Sequence, residues 1–134
     1  MAAWQFDVLA VFDGSTSLPP PLRRRAEKLL AEHYGQPSEM FKDFRVYGGP
    51  GGNRIDLITS DDGCGELWMR VDARAEIDTF MRQIVILMIE MECALKVAET
   101  GLHIPAQIDV FNQALQRSDA WKFVLGAAPS SDAV

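Results

Sequence analysis

RAEIDTFMRQIVILMIEMECALKVAETG, residues 74–101, is the stretch on which the fold turns. No Gly or Pro interrupts it from Arg74 to Thr100, and Gly101 stands where a glycine commonly closes a helix. Stepping about 100° per residue places Ile77, Phe80, Ile84, Leu87, Met88, Met91, Leu95 and Ala98 within one arc of about 120°, the stripe a helix turns to a core. Ile86, Ile89, Cys93 and Val97 line up as a second, thinner stripe on the far side. Asp78 with Arg82 and Glu92 with Lys96 are i,i+4 pairs on the flank between the two. The spacing predicts one long central helix with two apolar sides, the second of which needs a cover of its own. Left uncovered, Ile86, Ile89, Cys93 and Val97 with the flanking Arg82 would form an association patch, either a homodimer seam or a client-binding face.

Working outward, Trp4, Phe6, Val8, Ala10 and Phe12 alternate with Gln5, Asp7, Leu9, Val11 and Asp13, the period of two that marks a strand. Pro19 to Pro21 open a helix in which Leu22, Ala26, Leu29, Leu30 and His33 recur at helical spacing until Gly35. Three short strands are expected over Phe41 to Tyr47, Arg54 to Thr59 and Glu66 to Asp72, joined by turn-rich segments into an antiparallel meander. In the last of them Leu67, Met69 and Val71 face one way and Glu66, Trp68, Arg70 and Asp72 the other, so one side of the sheet meets water. Pro105 suits a first helical position for a short helix to about Arg117, and Ser118 can cap a final turn bearing Trp121, Phe123, Val124 and Leu125. The expectation is a single α+β domain over 1–125, in β-α-β-β-β-α-α order. A four-stranded, mainly antiparallel sheet carries the long central helix, and a small, polar tail over 126–134 is expected to fray.

At 134 residues the chain can bury one core without staples. Its net charge of −6 argues against a large phosphate-binding surface, and so against nucleic acid as a partner. The longest apolar run, Ile84 to Ile89, is far too short to span a bilayer. Gln5, Asp7 and Asp13 interrupt the first apolar stretch as no secretory leader does. Cys64 and Cys93 make no disulfide framework, and a cytoplasmic address is expected.

The sharpest local motif is Val8-Leu9-Ala10-Val11-Phe12-Asp13-Gly14-Ser15-Thr16-Ser17, a strand ending in Asp-x-Ser-x-Ser ahead of a helix. A carboxylate and two hydroxyls at a strand end can hold a hard divalent cation, and the same residues also serve as helix caps. The segment resembles the metal-ion-dependent adhesion loop of von Willebrand factor A-type domains, a likeness running through the first helix to the strands at 54–72. It implies a Mg²⁺-dependent binding module with Asp13, Ser15 and Ser17 as ligands. The later threonine loop and strand-end aspartate of that family have no counterpart here.

Gly48 to Gly52 joins two strands with no Lys-Ser/Thr behind it, a flexible hairpin and not a phosphate cradle. His33, His103 and the two cysteines show no zinc spacing. Neither histidine sits in a nucleophile motif, and Glu90 and Glu92 lie too far apart around a helix to work as a pair. An enzyme would need an unrecognised site between the sheet and the long helix, marked by clustered perturbed titratable groups. The reading that remains is a small acidic, non-catalytic protein–protein interaction domain without cofactors, comparable in size and charge to bacterial immunity proteins and secretion chaperones. Its expected role is to bind and neutralise, or escort, a basic toxin or effector. Ile86, Ile89, Cys93, Val97, Arg82 and Trp68 are its expected contacts, and Asp61, Asp62, Glu66 and Asp72 steer the partner.

Overall fold

A computed structural model describes residues 2–48 and 52–126. The elements run β1 (Gln5–Val11), α1 (Pro20–Tyr34), β2 (Ser38–Phe41), β3 (Phe44–Tyr47), β4 (Arg54–Thr59), β5 (Gly65–Asp72), α2 (Asp78–Met91), β6 (Ala94–Val97), β7 (His103–Ile104), α3 (Ile108–Gln116) and α4 (Asp119–Val124). The strands form one antiparallel seven-stranded sheet in the order β2-β3-β4-β5-β1-β6-β7. The four-stranded sheet and the single long helix expected from the sequence are both corrected by this arrangement.

The correction centres on Glu92. It adopts the left-handed conformation, φ 57° and ψ 41°. The backbone N–H of Cys93 reaches back to the carbonyl of Met88 at 2.8 Å, and that of Glu92 to Ile89 at 3.1 Å. These two bonds close a Schellman motif, usually built on glycine. The helix stops after 14 residues and the chain re-enters the sheet as β6. Cys93, Leu95 and Val97 are buried there with period two, and Ala94 and Lys96 are half-buried between them. Residues 93 and 97 satisfy a helical i,i+4 spacing and a strand alternation equally, so periodicity alone could not choose. Gly101 turns β6 into β7, its N–H on Val97 and its φ at 76°, and so closes no helix.

The remaining extra strand comes from Lys42–Asp43. Asp43, at φ 63°, folds the expected strand at 41–47 into the β2–β3 hairpin, which carries a register shift between Glu39 and Phe41. Pro105 follows the edge strand β7 and α3 begins at Ile108, so the proline opens no helix. Ser118 does cap α4, its hydroxyl accepting the N–H of Trp121 at 3.2 Å. The tail expected over 126–134 lies, from 127 onward, outside the described residues.

Helices α1, α2 and α3 cover one face of the sheet. Phe6, Val8 and Ala10 of β1, Leu67, Met69 and Val71 of β5, Ile55 and Leu57 of β4, and Leu95 and Val97 of β6 point into that layer. They meet Ala26 and Leu30 of α1, Met81, Ile84 and Met88 of α2, and Phe111 and Leu115 of α3. Gly65 lets α1 approach closely, since a Cβ there would run into the stem of Arg23. The Arg23 Nε–H donates to the carbonyl of Gly63 at 3.0 Å, tying the helix to the β4–β5 turn.

Candidate functional site

Among the described residues, the opposite face of the sheet carries no helix. By register, one row across it runs Val46, Asp56, Trp68, Leu9 and Lys96, and the next joins Arg54 and Arg70 to Asp7. Phe44 and Ile58 pair beside the first row, and Phe41 meets Phe44 edge-on with ring centroids 6.0 Å apart. Leu9 and Val11 are each 5% exposed but stand apart from the core cluster under the helices. Seen from solvent, this is a half-buried floor of mixed apolar and charged side chains with Trp68 on β5, the middle strand of the sheet.

Charge is packed into the same floor. Asp7 and Asp56, whose side chains are 1% and 0% exposed, flank Arg70. The guanidinium donates to Asp56 Oδ2 at 2.5 Å through Nε and to Asp7 Oδ2 at 3.0 Å through Nη1. Gln5 donates to both oxygens of Asp7, at 2.9 and 3.0 Å. Burial is the largest influence on Asp7 and raises its pKa above the ordinary carboxylate value; the Gln5 hydrogen bond and Arg70 oppose it, and the charge of Asp56 adds to it. Arg54 Nε lies 3.1 Å from Asp56 Oδ1, close enough for an ion pair but off the hydrogen-bond line, so among the described residues both atoms end buried without a hydrogen bond. Arg70 also stacks over the ring of Trp68, 5.1 Å from its centroid, while the indole N–H donates to Glu66 at 2.6 Å. Trp68 is therefore gripped at its face by Arg70 and at its edge by Glu66, and little side-chain freedom is left to lose when it is covered.

The residues singled out in the sequence fall in separate places. Ile86 and Ile89 are exposed on the outer side of α2, 52% and 60%, but Cys93 and Val97 are 6% and 4% exposed inside the fold. The second apolar stripe thus dissolves into two isoleucines with Arg82 nearby, the latter bonded to Asp78 at 3.0 Å. Burial, with the charge of Glu92, pushes the Cys93 thiol up to about 11, leaving it protonated and unreactive at neutral pH. Trp68 and Glu66 lie on the other side of the sheet from α2, so the two groups cannot serve one flat contact. Asp61 and Asp62 are exposed at the β4–β5 turn, where hydrogen bonds from the Ser60 hydroxyl and the Cys64 N–H hold the pKa of Asp62 below the ordinary value. Asp72 is buried against Arg74, 2.9 Å away, and is not free to steer a partner.

Asp13 and Gly14, with φ of 51° and 77°, are the two central residues of a tight turn whose flanks, Phe12 and Ser15, exchange both backbone hydrogen bonds. Asp-Gly is the pair that a type I′ hairpin turn demands. The hydroxyl of Ser15 accepts the N–H of Ser17 at 3.0 Å, and Asp13, Ser15 and Ser17 are all exposed. Pro19 precedes α1, and among the described residues no side chain caps that helix. Among the described residues no group of three or more His, Cys, Asp or Glu side chains is placed to hold a metal ion. Nor is any helix among them long and apolar enough to cross a membrane.

The sequence reading missed Asp7, Asp56 and Arg54. Their signal is a charged residue at some of the outward positions of β1 and β4, Asp7 between Gln5 and Leu9 and Arg54 with Asp56 ahead of Ile58, where a solvated strand face would be expected. That Asp7 and Asp56 are buried, with Arg54 half-exposed beside them, follows from β1 and β4 flanking β5, which only the strand order reveals. Comparison of the chain with protein-family models, with curated proteins and with solved structures finds no match.

Proposed function

We propose that the chain is a non-catalytic protein-binding domain that neutralises or escorts a basic protein partner, docking it on the helix-free face of the sheet. The observation that carries this is Trp68, half-buried on the middle strand and pinned between Arg70 and Glu66 beside the buried Leu9. Tryptophan and arginine are the side chains most enriched where binding energy concentrates, and pre-ordered anchors lose the least entropy on association. Asp61 and Asp62 at the end of the same hairpin, with the overall charge of −6, favour encounter with a basic surface.

The test is co-purification of the tagged chain from its native host, beside Trp68→Ala and the double substitution Ile86→Asp with Ile89→Asp. The reading expects a stoichiometric basic partner to be held by the parent chain and by the α2 variant but lost by Trp68→Ala. The Trp68→Ala variant must keep its cooperative melt. Recovery of a lone monomer, or capture indifferent to Trp68, counts against the proposal.

A further inference from the structure

On the helix-covered side of the sheet, away from Trp68, a cavity of about 410 Å³ opens between the β6–β7 turn and α3. It exists because α3 is anchored by one flank only. Phe111 and Leu115 are buried, Phe111 lying 6.3 Å from the ring of Phe6, while Val110 and Ala114 on the other flank stop short of the turn. The floor is apolar, formed by Phe6, Val97, Ile104 and Val110. Its volume falls in the range of small-molecule sites, roughly 300–1,000 Å³, and is larger than one partner side chain would need.

Apart from Gln113, the polar groups at its edge divide into two kinds. The hydroxyl of Thr100 accepts the N–H of Leu102 at 3.2 Å, and that of Ser118 donates to the carbonyl of Leu115 at 2.5 Å. These are spent on fixing the walls. Glu99 and Arg117 are exposed on the rim, and among the described residues neither side chain is in an ion pair. A rim with one acid and one guanidinium attracts and repels a singly charged ligand together; a ligand carrying both charges is attracted twice. Arginine is also the side chain whose planar fork matches a carboxylate.

We propose that this cavity binds a small apolar zwitterion, of the class of free aromatic or branched-chain amino acids. Its side chain rests on the Phe6–Val97–Ile104–Val110 floor, its carboxylate meets Arg117 and its ammonium meets Glu99. The site is independent of the protein-binding face, and either can fail without the other.

The experiment is a titration of the full chain, followed by backbone amide NMR shifts, with phenylalanine, 3-phenylpropionate and phenethylamine as three separate probes. Saturable shifts at Gly101 and Ala114 are expected, with phenylalanine binding about fivefold more tightly than either singly charged probe, the worth of one exposed ion pair. Arg117→Gln should erase the preference over phenethylamine and Glu99→Gln the preference over 3-phenylpropionate, neither moving the melting temperature, and Ala114→Phe should abolish binding of all three. No saturable shift, equal affinity for the three probes, or a preference that survives both rim substitutions overturns the proposal.

Discussion

The two faces of one sheet solve the same problem in opposite ways. Along β1, Phe6, Val8 and Ala10 enter a helix-covered core in which their cross-strand neighbours Val71, Met69, Val97 and Leu95 are all apolar, whereas Asp7, Leu9 and Val11 are buried on a face with no helix above them among the described residues. Under the helices, closeness comes from interdigitated side chains and release of water. On the other face it comes from Asp7 and Asp56 closing on Arg70 and from Trp68 beneath that guanidinium. A buried ion pair of this kind adds little net stability relative to apolar residues of similar volume, yet breaking it is costly. A sheet face built this way spends its stability margin on orientation, as a binding surface requires and a core does not.

The largest expected effect tests that contrast directly. Arg70→Ala leaves buried Asp7 with Gln5 alone and buried Asp56 with Arg54 alone, and should cost about 4 kcal/mol in urea unfolding; a loss below about 1 kcal/mol would mean that water already reaches both and the face is an ordinary wet one. Next in size, Leu67→Ala in the covered core should cost about 3 kcal/mol, and Leu9→Ala about half of that because its surroundings can relax toward solvent. Equal losses would erase the distinction between the faces.

A weaker effect appears when stability is followed from about pH 7 down to about pH 3. The Arg74 side chain holds the pKa of Asp72 below its ordinary value of 3.8, so its contribution is present above 3.8 and is lost as pH falls through the lowered folded value. Asp7 is shifted upward, so its contribution is present below 3.8 and is lost as pH rises through the raised folded value. Asp72→Asn should therefore lose less stability than the parent chain on acidification, and Asp7→Asn more; parallel curves for both would contradict the assigned burial. Smallest is Glu92→Gly, at the crossing from the helix layer into the sheet. Relieving a left-handed glutamate should stabilise by about 0.5–1 kcal/mol, net of the entropy glycine adds to the unfolded chain, read as a rise in the urea midpoint.

Much of the local structure was legible from the residues. Helix α1 between its prolines and Gly35, the β3–β4–β5 meander and the Ser118 cap all carry their own chemistry: a fixed φ, an alternation, a hydroxyl aimed at a free N–H. Glu92 carried no such mark. Glutamate is a good helix former and takes the left-handed region only when the gain elsewhere exceeds the strain. Here that gain is Ala94 to Val97 joining β1 in the sheet, a contact between residues more than eighty positions apart. The candidate face was half legible. Trp68 and Glu66 show their outward direction in the β5 alternation, but nothing local to Asp7 or Asp56 says that Arg70 lies between them.

The sequence by itself determined which residues alternate, which recur at helical spacing and where the chain must turn, because these follow from the reach and shape of neighbouring side chains. Tertiary structure alone decided that α2 ends at Met91, that the sheet has seven strands, and that Asp7 and Asp56 share one guanidinium. Burial depends on what the far parts of a chain place overhead or alongside, and no window of sequence holds that.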